Sequence, residues 1–143
     1  MNSLKTTKYG VPMTLTNKQF LDIFHTLQET RFTKGVRYAL VVIKNSEVIS
    51  AHLKELDEAA KPSEAFVELS IKAQELIKSE KFDELAELEK ENATVIQERK
   101  EQMDKVNAKM QEEATLELKL IPESILPDDI TADQIEKLIP IIQ

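Results

Sequence analysis

The side chains best suited to chemistry are few and poorly grouped in this chain of 143 residues. His25 and His52 are its only histidines, and it has no cysteine. Asp22 and His25 stand three positions apart, which places them on one side of a helix and matches half of a di-iron carboxylate motif. Such a site needs a second Glu-x-x-His pair, which is missing. We therefore interpret both histidines as structural and expect neither a metal nor a cofactor.

Adjacent carboxylates could support acid–base chemistry or bind a cation. Glu112 with Glu113, and Asp128 with Asp129, form such pairs. Catalytic carboxylates need burial or charged neighbours that separate their pKa values, whereas the second pair precedes a predicted helix start that it stabilises electrostatically. With two glycines in the whole chain, the glycine-rich phosphate-binding loops are also absent. The sequence predicts a protein that is not an enzyme.

Composition excludes further classes. Without cysteine there is no disulfide scaffold, thiolate nucleophile or thiolate metal site. No secretory signal follows Met1, and the longest apolar run, Tyr38 to Ile43, is too short to cross a bilayer. We therefore expect a soluble protein without a membrane partner.

The net charge of −7 is concentrated after Lys54, which disfavours nucleic-acid binding through phosphate contacts. A basic face remains an alternative to ordinary solubilising charges, and its members are Lys5, Lys8, Lys18, Arg31, Lys34, Arg37 and Lys44.

The scarcity of glycine and the abundance of Leu, Ile, Val and Ala favour a mainly α fold of the α+β kind. Thr16 and Gln19 have the spacing of a capping box, which predicts a first helix reaching Thr30. Thr33 is the predicted cap of a second helix that ends near Ala60, before Pro62.

The second predicted helix is apolar on every side from Ala39 to Ile43, so this segment is expected to be the most enclosed part of the fold. Asn45 lies within its apolar stripe, where we interpret it as a structural polar group. On that interpretation Asn45→Leu keeps the fold and raises its stability, while it loosens helix register or oligomeric state.

A third helix is predicted from Ser63 to about Ser79, and a long helix from Asp83 to Glu113. The long helix carries a heptad-spaced stripe on an otherwise charged surface. Its apolar members are the candidate protein-interaction residues: Leu85, Leu88, Val95, Val106 and Met110.

Asn92, Arg99 and Gln102 interrupt this stripe, and a helix of this kind needs packing to be stable. It either folds back as an antiparallel hairpin or pairs between subunits. Because symmetric self-association is common, a homo-oligomer is predicted, which Leu88→Asp with Val95→Asp should dissociate.

Period-two alternation predicts strands at Val11 to Leu15 and at Thr115 to Leu120. Each would lack a partner alone, so the two are expected to pair. A short last helix is expected to start at Thr131 and to end at Pro140. The whole chain, 1–143, is predicted to be one domain with an N-terminal arm (1–15), a helical core (16–79), a long helix (83–113) and a C-terminal strand and helix (115–143).

Two stretches resemble small proteins of tailed bacteriophages and prophages whose functions are mostly unassigned. One runs from Tyr38 to Phe66 and includes Lys61-Pro62-Ser63-Glu64. The other runs from Leu116 to Ile142 and includes Leu126-Pro127-Asp128-Asp129-Ile130-Thr131. The shared features are turns and helix caps, so the resemblance implies a phage origin and supplies no catalytic residue.

The expected function is that of a non-enzymatic bacteriophage protein, a structural or accessory component of the virion or its assembly. Its partners are then other copies or other phage proteins, in the virion or in the cytoplasm of the infected bacterium. The alternative is a small acidic inhibitor that binds a host protein, as a nucleic-acid mimic or otherwise. Net charge −7 fits this alternative, but it is also ordinary for a soluble protein.

Overall fold

The computed structural model describes residues 10–143, and it is 70% helical with six α-helices and a small antiparallel sheet. The mainly α class with a two-stranded sheet is therefore confirmed. In chain order the elements are β1 (Val11–Thr16), α1 (Asn17–Glu29), α2 (Val36–Ala60), α3 (Glu64–Lys78), α4 (Phe82–Glu91), α5 (Ala93–Met110), β2 (Glu113–Leu118) and α6 (Ala132–Leu138). Lys5, Lys8 and the rest of 1–9 lie outside the described residues.

These elements form two compact units. The terminal unit contains the described residues up to Glu55 together with Met110–Gln143, and the central unit contains Leu56–Lys109. No helix within residues 10–143 is long and apolar enough to cross a membrane.

The sheet of the terminal unit joins the two ends of the chain. β1 and β2 are antiparallel, with Val11 opposite Leu118 and Thr16 opposite Glu113. The predicted pairing is confirmed, although β2 lies two residues earlier than the alternation indicated. Beyond β2, Ile121 forms a parallel bridge with Ile142, which ties down the C-terminus.

Capping residues fix the ends of several helices as predicted. The Thr16 hydroxyl accepts from the Gln19 amide while the Gln19 side chain accepts from the Thr16 amide, so the capping box of α1 is complete. Thr131 and Gln134 repeat this arrangement at α6. Ser63 caps α3 by accepting from the Phe66 amide.

The start of α2 differs from the prediction. Thr33 does not cap the helix, because its hydroxyl donates to the Thr30 carbonyl oxygen at 2.6 Å. The chain instead turns at Gly35, whose φ of +127° strongly favours glycine. The Gly35 carbonyl accepts the first helical hydrogen bond, from the Ala39 amide.

The core of the terminal unit lies between the sheet, α1, α2 and α6. Its fully buried apolar side chains are Phe20, Ile23, Leu27, Tyr38, Ile49, Leu118, Ile121, Leu138 and Ile141. On α1 and α2 these residues follow helical spacing, which explains why each helix turns one side inward.

The central unit is built from α3, α4 and α5. The prediction of one continuous helix from Asp83 to Glu113 is wrong, because the structure has two helices, α4 and α5, in this range. The helix breaks at Asn92, whose side-chain amide donates to the Leu88 carbonyl at 2.9 Å and so competes with the regular backbone pattern. Glu113 belongs to β2.

Candidate functional site

The two histidines, predicted to be structural, lie on different helices and make local contacts. The His52 ring is 2.8 Å from Oδ1 of Asn17 and stands edge-on to Phe20, with centroids 6.2 Å apart. His25 is exposed and lies beside Phe24. Asp22, its proposed partner, forms an ion pair with Nζ of Lys18 at 3.5 Å.

The adjacent carboxylates are exposed. Glu112 and Glu113 flank the start of β2, and Asp128 and Asp129 line an open cavity of about 580 Å³. Glu29, Phe32, Thr33, Lys34 and Pro127 complete its lining. Within residues 10–143, no three His, Asp or Glu side chains are grouped closely enough to hold a metal ion.

The heptad stripe is largely covered by the chain's own packing. Val106 is buried, whereas Leu85, Leu88, Val95 and Met110 are half-buried, and their neighbours along both helices are mostly exposed. This placement favours the hairpin interpretation of the stripe over its use as a bare seam. These residues therefore act in the first place as packing residues.

Arg99 and Gln102, which interrupt the apolar stripe, bind the end of α2. The Arg99 Nη1 donates to the Ala60 carbonyl at 2.7 Å. The Gln102 Nε2 is 2.7 Å from the carbonyl oxygens of both Ala59 and Lys61. The last carbonyls of a helix lack intrahelical hydrogen-bond donors, and the side chains of Arg99 and Gln102 provide donors for them.

The Arg99 guanidinium makes two further contacts in the central unit. Its carbon lies 5.5 Å from the centroid of the Phe66 ring, within the range of a cation–π interaction. Nη1 also donates to Oε1 of Gln102 at 3.0 Å. These polar interruptions of the stripe are thus structural contacts within the central unit.

Asn45 is buried, with 1% of its surface exposed, and its partner is the backbone beyond β2. Its Nδ2 donates to the Lys119 carbonyl at 2.9 Å, and its Oδ1 accepts from the Lys119 amide at 2.8 Å. The side chain therefore takes the place of a neighbouring strand. This pairing overturns the expectation that Asn45→Leu raises stability, because leucine would leave both backbone groups of Lys119 unpaired.

A second buried polar contact joins α1 to the start of α2. The hydroxyls of Tyr38 and Thr30 are 2.7 Å apart, and both residues are almost fully buried. Burial raises the pKa of the Tyr38 phenol above its ordinary value, while the hydrogen bond with Thr30 acts in the opposite direction. Neither residue faces solvent.

The main departure from the sequence prediction is on the outer side of α2. The segment from Ala39 to Ile43 was expected to be enclosed, yet Leu40 is 48% and Ile43 is 51% exposed. Val36, one turn earlier, is 77% exposed. The spacing of these three residues aligns them on the side opposite Tyr38 and Asn45. We call Val36, Leu40 and Ile43 the α2 outer face.

The charge along the α2 outer face is mainly positive, and Glu47, exposed one turn beyond Ile43, is the nearest carboxylate on this side of the helix. Arg37 and Lys44 are exposed along one edge of the face. From Thr30 to Ser46 the chain contains four basic and no acidic residues, despite the net charge of −7. Just before the helix, Phe32 is 88% exposed and its ring lies 5.9 Å from the Arg31 guanidinium carbon. This apolar and basic surface is the candidate functional site.

The chain matches no family model, no curated protein and no solved structure. The phage resemblance drawn from the sequence motifs stays a prediction.

The sequence did hold a signal for the site. A continuous apolar run in a helix predicts burial on all sides only if other elements cover all sides. Here α1 and the segment after β2 contact one side of α2, through Tyr38, His52 and Asn45. Leu40 and Ile43, the apolar residues of the run that no described element covers, form the α2 outer face together with Val36.

Proposed function

We propose that this chain is a non-enzymatic protein that acts by binding other protein chains, as a structural or accessory component of a bacteriophage particle or of its assembly. The α2 outer face is the observation that carries the proposal. Val36, Leu40 and Ile43 lie outside the core and therefore have no need to be apolar for the fold. Aligned apolar surface of this kind is typical of an interaction site.

The bacteriophage part of the proposal rests on the motifs around Lys61-Pro62 and Leu126-Pro127. The first motif forms the connection from α2 to α3, and the second borders the cavity beside Phe32. The resemblance therefore includes connections in both units, although connections usually vary more among related proteins than the elements they join.

Mass spectrometry of gradient-purified particles tests the proposal. Particles from the bacterium that carries the gene should contain the chain at a constant ratio to the major structural protein. Leu40→Glu should lower that ratio about tenfold or more, since a charge is placed in the centre of an apolar contact. Ser50→Glu, on the exposed side of α2 beyond the face, should leave it unchanged. Absence of the unmodified chain from particles and from assembly intermediates would overturn the proposal.

One observation favours the inhibitor alternative. Glu84, Glu87 and Glu91 are exposed on α4, and their spacing aligns three carboxylates on one side of that helix. Such a row has the charge pattern of a nucleic-acid backbone. If this is the function, the chain should bind a nucleic-acid-binding host protein in competition with double-stranded DNA. Replacement of the three glutamates by glutamine should abolish that binding, whereas Leu40→Glu should not affect it.

A further inference from the structure

A second exposed apolar row lies on α3 in the central unit. Val67 is 42% and Ile71 is 54% exposed, whereas Leu69, on the opposite side of the helix, is 8% exposed. Val67 and Ile71 are four positions apart and therefore adjacent on the helix surface. We call these two residues the α3 outer face.

The two faces carry opposite charges along one edge. Glu68 and Glu75 are exposed beside the α3 outer face, as Arg37 and Lys44 are beside the α2 outer face. Each pair is separated by seven positions, which is about 10.5 Å along a helix axis. The spacing of the acidic pair therefore matches the spacing of the basic pair.

These four charged groups are available to a partner. In the part of the chain that the structure describes, Lys18 forms an ion pair with Asp22. Arg37, Lys44, Glu68 and Glu75 form none there. Lys72, one turn beyond Glu68 on the same helix, lies farther round the surface from Val67 and Ile71.

We propose that the α2 outer face of one copy binds the α3 outer face of a second copy. The charges select this occupant, because antiparallel contact between two α2 outer faces would bring Arg37 and Lys44 against their own copies, whereas a parallel contact would leave both charged rows unpaired. When α2 meets α3, the apolar rows are covered and the charged rows are neutralised. The inference rests on the proposed function, for which it names the partner.

Helix geometry also fixes the direction of the contact. In both helices the charged row lies on the same rotational side of the apolar row when viewed from the N-terminus. Two such helices bring their charged rows to a common edge when they run antiparallel and to opposite edges when they run parallel. The contact is therefore antiparallel, with Arg37 near Glu75 and Lys44 near Glu68. Ile71 then lies opposite the space between Leu40 and Ile43.

The contact uses different surfaces on the two copies, so one copy retains an unused α3 outer face and the other retains an unused α2 outer face. Repetition generates a ring or an open chain. The faces are short, which places the contact in the weak class. Assembly is therefore favoured where copies are concentrated, as on a particle.

Sedimentation velocity over a range of protein concentrations tests the inference with purified protein. The unmodified chain should associate progressively, and added salt should weaken the ionic part of the contact. Arg37→Glu with Lys44→Glu should lower the association constant about tenfold or more, and so should Glu68→Lys with Glu75→Lys. An equimolar mixture of these two variants should regain association, because each reversed face then meets its complement.

Paired single reversals test the direction. Arg37→Glu combined with Glu75→Lys in one chain should associate more strongly than Arg37→Glu combined with Glu68→Lys, since the antiparallel contact pairs residue 37 with residue 75. The reverse order would overturn the antiparallel arrangement.

Exposed residues of the central unit provide the control. Lys90→Glu with Lys100→Glu makes the same change in net charge as reversal at α2 and should leave association unchanged. Circular dichroism should show the same helix content for every variant, because all of these side chains are exposed.

Other outcomes would overturn the inference. A monomer at every concentration excludes the contact, and this result leaves the proposed function intact, because other phage proteins could occupy the α2 outer face in particles. If the association constant is unchanged by charge reversal at Glu68 and Glu75, α3 is excluded as the partner surface. Binding to vesicles of anionic phospholipid, lost on reversal of Arg37 and Lys44 and without any self-association, assigns the face to a lipid surface instead.

Discussion

Single polar side chains complete the backbone hydrogen bonding of this fold at places that regular elements do not reach. Asn45 pairs with both backbone groups of Lys119, and Gln102 reaches two carbonyls at the end of α2. Buried or partly buried backbone groups need such partners. Each of these side chains is therefore more sensitive to substitution than its polar type indicates.

Asn45→Leu should destabilise the protein by about 2–4 kcal/mol, because two partly buried backbone groups of Lys119 lose their partner. The measurement is the free energy of unfolding from urea denaturation. Ser46→Ala is the neighbouring control. It removes one hydrogen bond, from Nε2 of Gln28 to the Ser46 hydroxyl, and should cost at most about 1 kcal/mol. Equal stability of Asn45→Leu and the unmodified protein would contradict this role.

Because the pKa of Tyr38 is raised, we predict that the protein loses stability at alkaline pH. Its raised pKa means that the folded state holds the phenolic proton more tightly than the unfolded state does. The resulting stabilisation is complete below the unfolded pKa of about 10 and is lost as pH rises through the folded value. Tyr38→Phe should be less stable near neutral pH by about 1 kcal/mol, the contribution of one hydrogen bond.

The difference between the unmodified protein and Tyr38→Phe should shrink as pH rises above about 10. Urea denaturation of both proteins at neutral and alkaline pH measures it, and the comparison cancels the titration of lysines. A difference that is constant across this range would show that the Tyr38 phenol does not titrate differently on folding.

Arg99→Met should destabilise the central unit by about 2 kcal/mol, because the Ala60 carbonyl loses a charged donor and Phe66 loses the guanidinium. Methionine keeps much of the side-chain volume, so the loss reports polar contacts. Lys100→Met is the control at an adjacent exposed position and should change the free energy of unfolding by less than about 0.5 kcal/mol.

At the scale of elements, local signals in the sequence were enough for most of the fold. Thr16 with Gln19, Ser63, and Thr131 with Gln134 predicted helix starts because a cap depends on residues three positions apart. Pairing of the two strand segments followed from alternation and the need for a partner, whereas the antiparallel register, with Val11 opposite Leu118, did not. The break at Asn92 was missed because a good helical stripe passes through it. The α2 outer face was missed because covering depends on distant elements.

Gly10, directly before β1, packs closely against the backbone of Leu118. Its φ is +134°, and a Cβ at this position would lie 2.4 Å from the carbonyl carbon and oxygen of Leu118. Gly35 has a similar φ of +127° but open space around it. Gly10→Ala should therefore cost at least about 2 kcal/mol of stability, and Gly35→Ala about 1 kcal/mol from backbone strain alone. Thermal unfolding of both variants measures the difference, and equal losses would mean that the sheet yields to the added methyl group.

At the scale of the whole molecule, the stripe and the outer faces differ in exposure and should differ in role. Leu88 and Val95 are partly buried in the central unit. Leu40 and Ile71 are more exposed, at 48% and 54%. Substitution of the first pair should therefore act on folding, and substitution of the second pair should act on the proposed association. An apolar helical stripe in a sequence can indicate either packing within the chain or binding to a partner, and the exposure of its residues distinguishes the two.

Leu88→Asp with Val95→Asp should accordingly unfold the central unit and not simply dissociate a folded assembly. Two carboxylates in its packing would cost several kcal/mol unless they reach water. Circular dichroism should show a loss of helix, with increased protease cleavage within 56–109. A well-folded monomer with unchanged helix content would restore the original interpretation of the stripe as a seam between subunits.

The pairing of the two ends of the chain sets the order in which the protein folds during synthesis. The facing residues Thr14 and Thr115 are 101 positions apart, so a ribosome making about 5–20 residues per second leaves β1 without its partner for on the order of ten seconds. The central unit is one continuous segment and has all its contacts available earlier. We therefore expect the nascent chain to complete its middle first, while β1 stays open to chaperones and to wrong strand partners until β2 emerges.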